Sequence, residues 1–223
     1  MSFKRTYLTR QAEIIPAEKQ GLSIVVVGAG AIGSFTALAL AKMGYGNITV
    51  YDFDTIDDEN MNCQFYRTSD IGKKKAVAIK ELVYDFTGFE IKTFDAKVDR
   101  NSVLNANIVI SAVDSMEVRK LIGETAMCNW LIDPRMGAEY ATLDVVKFDK
   151  DGQKKYLDSL YTDAEAGHER CTAKSTMYTV NLIAGQVAKA VKDITVEAPY
   201  IKTMDWAIDK NAMIAFNSEG NKL

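Results

Sequence analysis

The sequence predicts an α/β protein with a Rossmann-like, doubly wound and mainly parallel sheet. Three features support this fold class. Short apolar runs rich in β-branched residues, beginning with residues 23–27, alternate along the chain with segments of helical spacing. Such alternation is typical of a parallel sheet covered by helices on both faces. The first run leads directly into a glycine-rich turn at residues 28–33, and the last part of the chain predicts an antiparallel hairpin.

The size and charge of the chain limit what it can be. Its 223 residues are enough for one α/β domain with a complete core and too few for two full domains, so we expect a single domain over residues 1–223. The 27 Lys and Arg residues against 30 Asp and Glu residues give a formal net charge of −3. Because a general affinity for nucleic acid requires a cationic surface, we expect no nucleic-acid partner.

Membrane insertion, export and a structural zinc ion are not expected either. No apolar run approaches the ~18 residues of a membrane-spanning helix, and the first residues lack the apolar core and cleavage site of a signal peptide. The three cysteines, Cys63, Cys128 and Cys171, form no C-x-x-C pair, and His168 is the single histidine. These features favour reduced thiols, exclude the usual four-cysteine zinc cluster, and predict a cytoplasmic protein.

The first two thirds of the chain contain most of the predicted sheet. Residues 1–20 are polar, and we expect them to form an arm or a short helix that lies against another part of the molecule. The elements that follow are, in chain order, a strand at 23–27, a helix at 34–43, a strand at 47–52, a helix at 74–86, a strand at 90–95, a strand at 106–112, a helix at 115–128, and strands at 130–133 and 142–148.

The last third of the chain is expected to consist of a loop, a helix and a hairpin. Residues 149–170 are polar and show no clean period, which predicts a mobile crossover loop. Residues 175–192 return to helical spacing. Two strand-like pieces then flank residues 209–211, which predicts a C-terminal antiparallel hairpin over residues 200–217.

The glycine-rich turn has the form G-x-G-x-x-G, with Gly28, Gly30 and Gly33 between a strand and a helix. Glycine lets the backbone pass close to a phosphate, and the start of the helix presents free N–H groups and the positive end of its dipole. Asp52, at the end of the next strand, is placed to bind ribose hydroxyls. The motif predicts nucleotide binding, but it does not choose among NAD, FAD and ATP.

The segments that follow the second strand narrow this choice. They resemble the ThiF/MoeB/HesA family, the ubiquitin-activating-enzyme-like adenylyltransferases, whose pattern is DxDxV/I…NLxRQF…DxGxxKA. The similarity extends from Arg10 to about Phe148. The matching residues are Arg10-Gln11, Asp52-Phe53-Asp54, Asn60 with Gln64-Phe65, Asp70 with Gly72 and Lys75, and Asp114 with Arg119.

The resemblance implies ATP-dependent adenylation of a carboxylate with release of pyrophosphate. The implied substrate is the C-terminal carboxylate of a small ubiquitin-like or sulfur-carrier protein, or of a peptide. Lys75 matches the family lysine that contacts the phosphates, and Asp114 matches the acid that supports Mg²⁺, a cation that prefers carboxylate and phosphate oxygens. The alternatives are a solvated lysine on an amphipathic helix for Lys75, and the N-cap of the helix at 115–128 for Asp114.

Further positions match residues that bind the nucleotide in the family. Asp52 and Asp54 correspond to the acids that bind the ribose and order the loop. Asn60 and Gln64 correspond to polar nucleotide contacts, and the alternative for both is a solvated loop. Arg10 matches an arginine that reaches ATP across a subunit interface, which implies a homodimer; the alternative is a surface arginine.

The sequence departs from the family pattern at Cys63, where the family has an arginine that neutralises phosphate charge. Arg67 or the lysines at 73–74 are candidates to replace that cation; otherwise the protein binds ATP and turns over poorly. The paired C-x-x-C zinc motifs of many members are missing. Cys171 lies near the position where some members carry a thiol that joins the carrier protein, and the alternative is a small packing residue.

Two other functions remain open from the sequence. A non-catalytic member of the family would bind nucleotide or a partner subunit as a scaffold, an idea motivated by the cysteine at position 63. An NAD-dependent oxidoreductase would use the same glycine loop. It would also need a substrate domain and a proton-transfer residue, for which 223 residues with one histidine leave little room.

Overall fold

The computed structural model describes residues 6–161 and 176–223, which build one eight-stranded sheet with helices on both faces. The strands are β1 (Ile24–Val27), β2 (Ile48–Tyr51), β3 (Lys92–Phe94), β4 (Asn105–Ser111), β5 (Met127–Gly137), β6 (Tyr140–Lys147), β7 (Ile201–Ala207) and β8 (Ala212–Asn217). The α-helices of the described ranges are α1 (Ala31–Lys42), α2 (Lys75–Thr87), α3 (Met116–Thr125), α4 (Lys150–Ser159) and α5 (Met177–Thr195).

The strand order is β3-β2-β1-β4-β5-β6-β7-β8. Pairing is parallel from β3 to β5 and antiparallel from β5 to β8. The chain leaves β1 towards one edge of the sheet and later returns to β4 on the other side of β1. The carboxyl ends of β1 and β4 are therefore the switch point at which doubly wound sheets bind ligands. The predicted fold class, including the C-terminal antiparallel hairpin of β7 and β8, is confirmed.

The core lies on both faces of the sheet because side chains of a strand alternate between them. In β1, Ile24 and Val26 join a large apolar cluster with residues of α1, α2 and α5. Val25 and Val27 face the other way and pack with residues of α3 and α4. This burial on both sides explains the uninterrupted apolar sequence of β1, and it fixes the turn that follows the strand at the edge of a rigid sheet.

The amino-terminal segment packs against the ends of two helices. Residues Thr6–Gln11 and Ala17–Lys19 form short 3₁₀ helices. The Gln11 side chain donates a hydrogen bond to the Met43 carbonyl at the C-terminus of α1 (2.7 Å), and the Tyr7 hydroxyl donates to the Thr87 carbonyl at the C-terminus of α2 (3.2 Å). In the described range 6–20, the expected arm is thus a pair of short helices held at the end of α1 that is remote from the glycine loop.

The structure differs from the prediction in the segment 149–170, which we expected to be a mobile crossover loop. Lys150–Ser159 form α4, so the prediction is wrong for these residues. The Asp149 carboxylate caps the helix by accepting a hydrogen bond from the Gly152 N–H (2.9 Å), and Tyr156 anchors it in the core beneath the sheet. The rest of the expected loop, from residue 162, lies outside the described residues.

No α-helix of the described ranges has the length and apolar character needed to cross a lipid bilayer.

Candidate nucleotide-binding site

The glycine loop at the end of β1 leaves an open space on one side. Gly28 has a φ of +93°, and a Cβ there would collide with the Ala112 carbonyl at the end of β4. A Cβ on Gly33 would collide with the Gly28 carbonyl. At Gly30, by contrast, an added Cβ meets no heavy atom within 4 Å. Gly28 and Gly33 therefore let the loop fold tightly, whereas Gly30 borders empty space in front of the α1 N-terminus.

The carboxylate of Asp52 fixes the backbone on both sides of this space. Its Oδ2 accepts a hydrogen bond from the Ala29 N–H (2.6 Å), and its Oδ1 accepts one from the Asp54 N–H (2.8 Å). Burial raises the pKa of Asp52, and the two backbone hydrogen bonds act in the opposite direction. Asp52 thus orders the loop, as the resemblance implied for one of its two acids.

Lys75 lies at the first position of α2, and its side chain is only 7% exposed. The ammonium nitrogen is 2.8 Å from Oδ2 of Asp54, a carboxylate that is 48% exposed. The preceding lysines point elsewhere: Lys74 donates to the Phe53 carbonyl (2.7 Å), and Lys73 to the Asp70 carboxylate (3.0 Å). Of these three consecutive lysines, Lys75 alone is buried beside an acid of the candidate site.

The segment that precedes α2 lies against the start of α1. The Phe65 N–H donates to the Ser34 hydroxyl (3.0 Å), and the Tyr66 hydroxyl donates to the Ala29 carbonyl (2.6 Å). Gln64 directly precedes these two residues in the chain. The Gln64 Oε1 atom is buried and has no hydrogen-bond partner among the described residues. Asn60 is engaged locally, because its Oδ1 accepts from the Asp57 N–H (3.0 Å).

Asp114 follows β4 at the same edge of the sheet and is exposed. The N-cap of α3 is Ser115, whose hydroxyl accepts a hydrogen bond from the Val118 N–H (3.4 Å). The alternative in which Asp114 is this N-cap is therefore wrong. Within residues 6–161 and 176–223, no three His, Cys, Asp or Glu side chains are gathered closely enough to hold a metal ion. A cation at Asp114 would need further oxygens, such as those of a phosphate.

Cys63 is half-buried near Lys75. Burial raises the pKa of its thiol, and the Lys75 ammonium acts in the opposite direction. The candidate replacement cations have other contacts. The Arg67 guanidinium binds the carboxylates of Asp70 (2.9 Å) and Asp85 (3.1 Å), and Lys73 shares Asp70 with it. The structure therefore does not bring Arg67 or Lys73 into a free position beside the glycine loop.

Arg10, an expected catalytic residue, does not lie beside the glycine loop of its own chain. Arg10 is exposed in the amino-terminal segment, which is attached to the C-terminus of α1 through Gln11. The glycine loop is at the opposite end of this 12-residue helix, a length of about 18 Å. Cys171 lies outside the described residues, so its expected role stays a prediction.

A buried ionic cluster near Asp114 is not among the features predicted from the sequence. Arg119 donates to the carboxylate of Asp133 and to the carbonyls of Ser111 and Val113. Arg135 binds the same carboxylate (2.7 Å), and the Tyr156 hydroxyl donates to it (3.1 Å). Asp133 is completely buried. The signal that singled out Asp52 and Asp114, an acid at the end of an apolar strand, was also present here.

A cavity of about 490 Å³ lies at the other edge of the sheet, lined in part by Leu22, Asn107 and Trp130. Leu22 precedes β1, Asn107 lies near the amino-terminal end of β4, and Trp130 lies in the amino-terminal half of β5. None of the predicted site residues within the ranges 6–161 and 176–223 lines this cavity. We therefore place the candidate site at the carboxyl ends of the strands, where Asp52 contacts the glycine loop and Asp54 contacts Lys75.

A glycine loop between the first strand and helix of a doubly wound sheet, with an acid after the second strand, is the arrangement of a nucleotide-binding protein. Residues 15–214 match the profile of the ThiF family, and the chain belongs to this family. The resemblance seen in the motifs is confirmed.

Individual relatives align with about half of the chain. Ubiquitin-like modifier-activating enzyme 5 from Dictyostelium discoideum is 27% identical over 125 residues, covering 48% of this chain and 33% of that protein. The catalytic subunit of the NEDD8-activating enzyme E1 from Arabidopsis thaliana is 36% identical over 113 residues, covering 48% of this chain and 25% of that protein. The matched region is thus a third or less of the length of these relatives.

Among solved structures, E. coli MccB, crystallised with AMPCPP and the selenomethionine form of MccA, superposes with a TM-score of 0.72. The superposition covers 90% of this chain and 65% of that chain, at 19% sequence identity. At this identity the similarity shows the fold alone.

Proposed function

We propose that this protein uses ATP to adenylate the C-terminal carboxylate of a small ubiquitin-like or sulfur-carrier protein, or of a peptide, and releases pyrophosphate. Membership of the ThiF family supports this proposal, as do relatives named activating enzymes and a structural neighbour crystallised with an ATP analogue and a second component, MccA. The observation that carries it is the open face of Gly30, bordered by the α1 N-terminus and set at the same sheet edge as the buried Lys75.

The reaction requires little beyond positioning and positive charge. A carboxylate oxygen of the substrate attacks the α-phosphorus of ATP, the bond from that phosphorus to the bridging oxygen breaks, and pyrophosphate leaves. The carboxylate is already ionised at neutral pH, so no general base is needed. Negative charge grows on the departing phosphates, and a cation held at a fixed place stabilises it.

The described residues match these requirements. The first N–H groups of α1 lack partners within the helix, and Gly30 offers no side chain to cap them, so they are available to phosphate oxygens. Lys75 forms an ion pair with Asp54, and its ammonium can turn from this exposed carboxylate to a phosphate. The unpartnered Gln64 Oε1 is an acceptor for an amino or hydroxyl group of the nucleotide.

Mg²⁺ and a second subunit are further parts of the proposal. Asp114 would hold a Mg²⁺ ion together with phosphate oxygens, and the ion would neutralise phosphate charge. Arg10 is about a helix length from the glycine loop of its own chain. Because this distance is too long for a contact within one chain, the proposal places Arg10 of the partner subunit against the ATP, in a homodimer.

The test compares two neighbouring lysines. Lys75→Met removes the buried ammonium, and the matched control Lys74→Met removes one that binds the Phe53 carbonyl and the Asp95 carboxylate. By calorimetry, we expect wild type and Lys74→Met to bind ATP–Mg²⁺ with dissociation constants within about threefold of each other, and Lys75→Met to bind at least about tenfold more weakly. NAD should give no heat of binding.

Equal ATP affinity of all three proteins would contradict the assignment of Lys75. Binding of NAD without binding of ATP would contradict the proposed function as a whole and favour the oxidoreductase alternative. ATP binding without any activation of a carboxylate would favour the non-catalytic alternative, for which the cysteine at position 63 remains the motivating observation.

A further inference from the structure

Tyr66 makes a contact with the glycine loop that the family pattern does not contain. Its side chain is buried, and its hydroxyl donates a hydrogen bond of 2.6 Å to the carbonyl of Ala29. Ala29 stands between Gly28 and Gly30 and is itself fully buried. The bond joins two residues that are 37 positions apart in the chain, so it depends on the folded structure and not on local sequence.

This hydrogen bond determines where the next peptide N–H points. The described residues contain no cis peptide bond. In a trans peptide the carbonyl and the N–H of the same planar unit point in opposite directions. Because Tyr66 holds the Ala29 carbonyl towards the interior, the Gly30 N–H of that unit faces the other way, towards the open side of the loop. No acceptor among residues 6–161 and 176–223 takes a hydrogen bond from it.

The preceding peptide unit is held as well. The Ala29 N–H donates to Asp52 Oδ2 (2.6 Å), so both backbone polar groups of Ala29 are bound to side chains. Glycine residues on either side make the loop intrinsically permissive, and without these two restraints either peptide plane could rotate. Asp52 controls one plane and Tyr66 controls the other.

The phenol is kept in the form that can donate. Burial, and then the carboxylates of Asp52, Asp54 and Asp70, raise the pKa of Tyr66, so its phenol is protonated at neutral pH. The carbonyl of Ala29 can only accept. The direction of the hydrogen bond is therefore fixed.

We propose that Tyr66 is a positioning residue for phosphate binding, which holds the Ala29–Gly30 peptide so that the Gly30 N–H is presented to the phosphates of the nucleotide. This inference rests on the proposed use of ATP. It predicts that the hydroxyl of Tyr66 contributes to the affinity for the phosphate part of ATP and not to the affinity for its adenosine part.

The experiment removes one hydroxyl at a time from two buried tyrosines. Tyr66→Phe keeps the ring and loses the hydrogen bond to Ala29. The matched control is Tyr45→Phe. Tyr45 is likewise a buried tyrosine, and its hydroxyl donates to Thr195 Oγ1 (2.9 Å) beyond the far end of α1. The urea unfolding midpoint of each variant is measured, together with its dissociation constants for ATP–Mg²⁺ and for adenosine.

We expect both variants to fold and to lose similar stability. Tyr66→Phe should bind ATP about tenfold more weakly than wild type, whereas its affinity for adenosine changes less than about twofold. Tyr45→Phe should change neither affinity by more than about twofold. A simple loss of core packing would affect ATP and adenosine equally, so the ratio of the two dissociation constants distinguishes positioning from a merely structural role.

Two results would overturn the inference while leaving the proposed function intact. One is an unchanged ATP affinity of Tyr66→Phe when wild type binds ATP, and the other is an equal weakening of ATP and adenosine. Failure of wild type itself to bind ATP would instead overturn the proposed function and the inference that rests on it.

Discussion

Alanine at position 30 should separate nucleotide binding from folding. Gly30 has a φ of −76° and a ψ of −147°, so its φ is negative, as in ordinary L-residues, and an added Cβ meets no heavy atom within 4 Å. Two small effects on the free energy of unfolding oppose each other. Alanine restricts the unfolded chain, which stabilises by about 0.4–1 kcal/mol, and it is a poorer N-cap residue than glycine, which costs about as much. We expect the free energy of unfolding to stay within about 1 kcal/mol of wild type.

ATP binding should not survive this change, because the methyl group occupies the side from which a phosphate approaches. A displacement of about 1 Å from the productive position can cost a hundredfold in activity. We expect calorimetry to show at least about tenfold weaker ATP binding, or about 1.4 kcal/mol. Gly21→Ala is the matched control, since a Cβ there also meets nothing within 4 Å and lies far from the loop. Unchanged ATP affinity of Gly30→Ala would refute the reasoning, and so would a loss of stability above about 2 kcal/mol.

Three further predictions concern charge. Burial alone would raise the pKa of Asp70, but hydrogen bonds from Arg67 and Lys73 lower it overall. The ionised Asp70 carboxylate therefore stabilises the fold above its unfolded pKa, and this stabilisation is lost as the pH falls through the lower folded pKa. In urea unfolding, Asp70→Asn should be about 1–2 kcal/mol less stable than wild type at pH 7 and as stable as wild type at pH values below the folded pKa. In an exchange assay, inactive Arg10→Ala and Asp114→Ala proteins should regain about a quarter of wild-type activity when mixed as dimers, and ultracentrifugation showing a monomer would contradict this. Cys63→Arg should preserve or raise the affinity for ATP measured by calorimetry, because the nearby Arg67 is already bound by carboxylates and leaves room for a new cation. The neutral Cys63→Gln is the control, and a fall in the ATP affinity of Cys63→Arg would show that another cation already occupies this position.

Much of the fold follows from the sequence because its strands are buried on both faces. The apolar run of β1 and the alternation of strands and helices give the doubly wound topology directly. Helix α4 was missed for a physical reason. It buries only Tyr156 among its residues, so it has no apolar stripe, and it includes Gly152, whose Cβ would collide with the Lys147 carbonyl. The sequence did contain one indication of this helix, the N-cap residue Asp149, but Asp149 stands among other polar residues that are equally typical of a loop.

In the candidate site, too, some features could be predicted from the sequence and others could not. The positions of Gly30, Asp52 and Lys75 in the fold were predictable, because each belongs to a local pattern whose place relative to a strand or helix is fixed. The bond between Tyr66 and Ala29 and the cluster around Asp133 join residues that are distant in sequence, and only packing brings them together. The pairing of Arg67 with Asp70, three residues later, could have been read from spacing. That pairing would have argued against Arg67 as a free phosphate-binding cation.

The most direct test of the proposed function is ATP–pyrophosphate exchange with a panel of small carrier proteins whose tails end in glycine. Wild type and Lys74→Met should exchange radiolabelled pyrophosphate into ATP in the presence of at least one carrier. Lys75→Met should lose this exchange by about a hundredfold or more, the range found when one donor to a developing charge is removed. The proposed function would be contradicted if wild type binds ATP but supports no exchange with any carrier. It would also be contradicted if Lys75→Met exchanges pyrophosphate as fast as Lys74→Met.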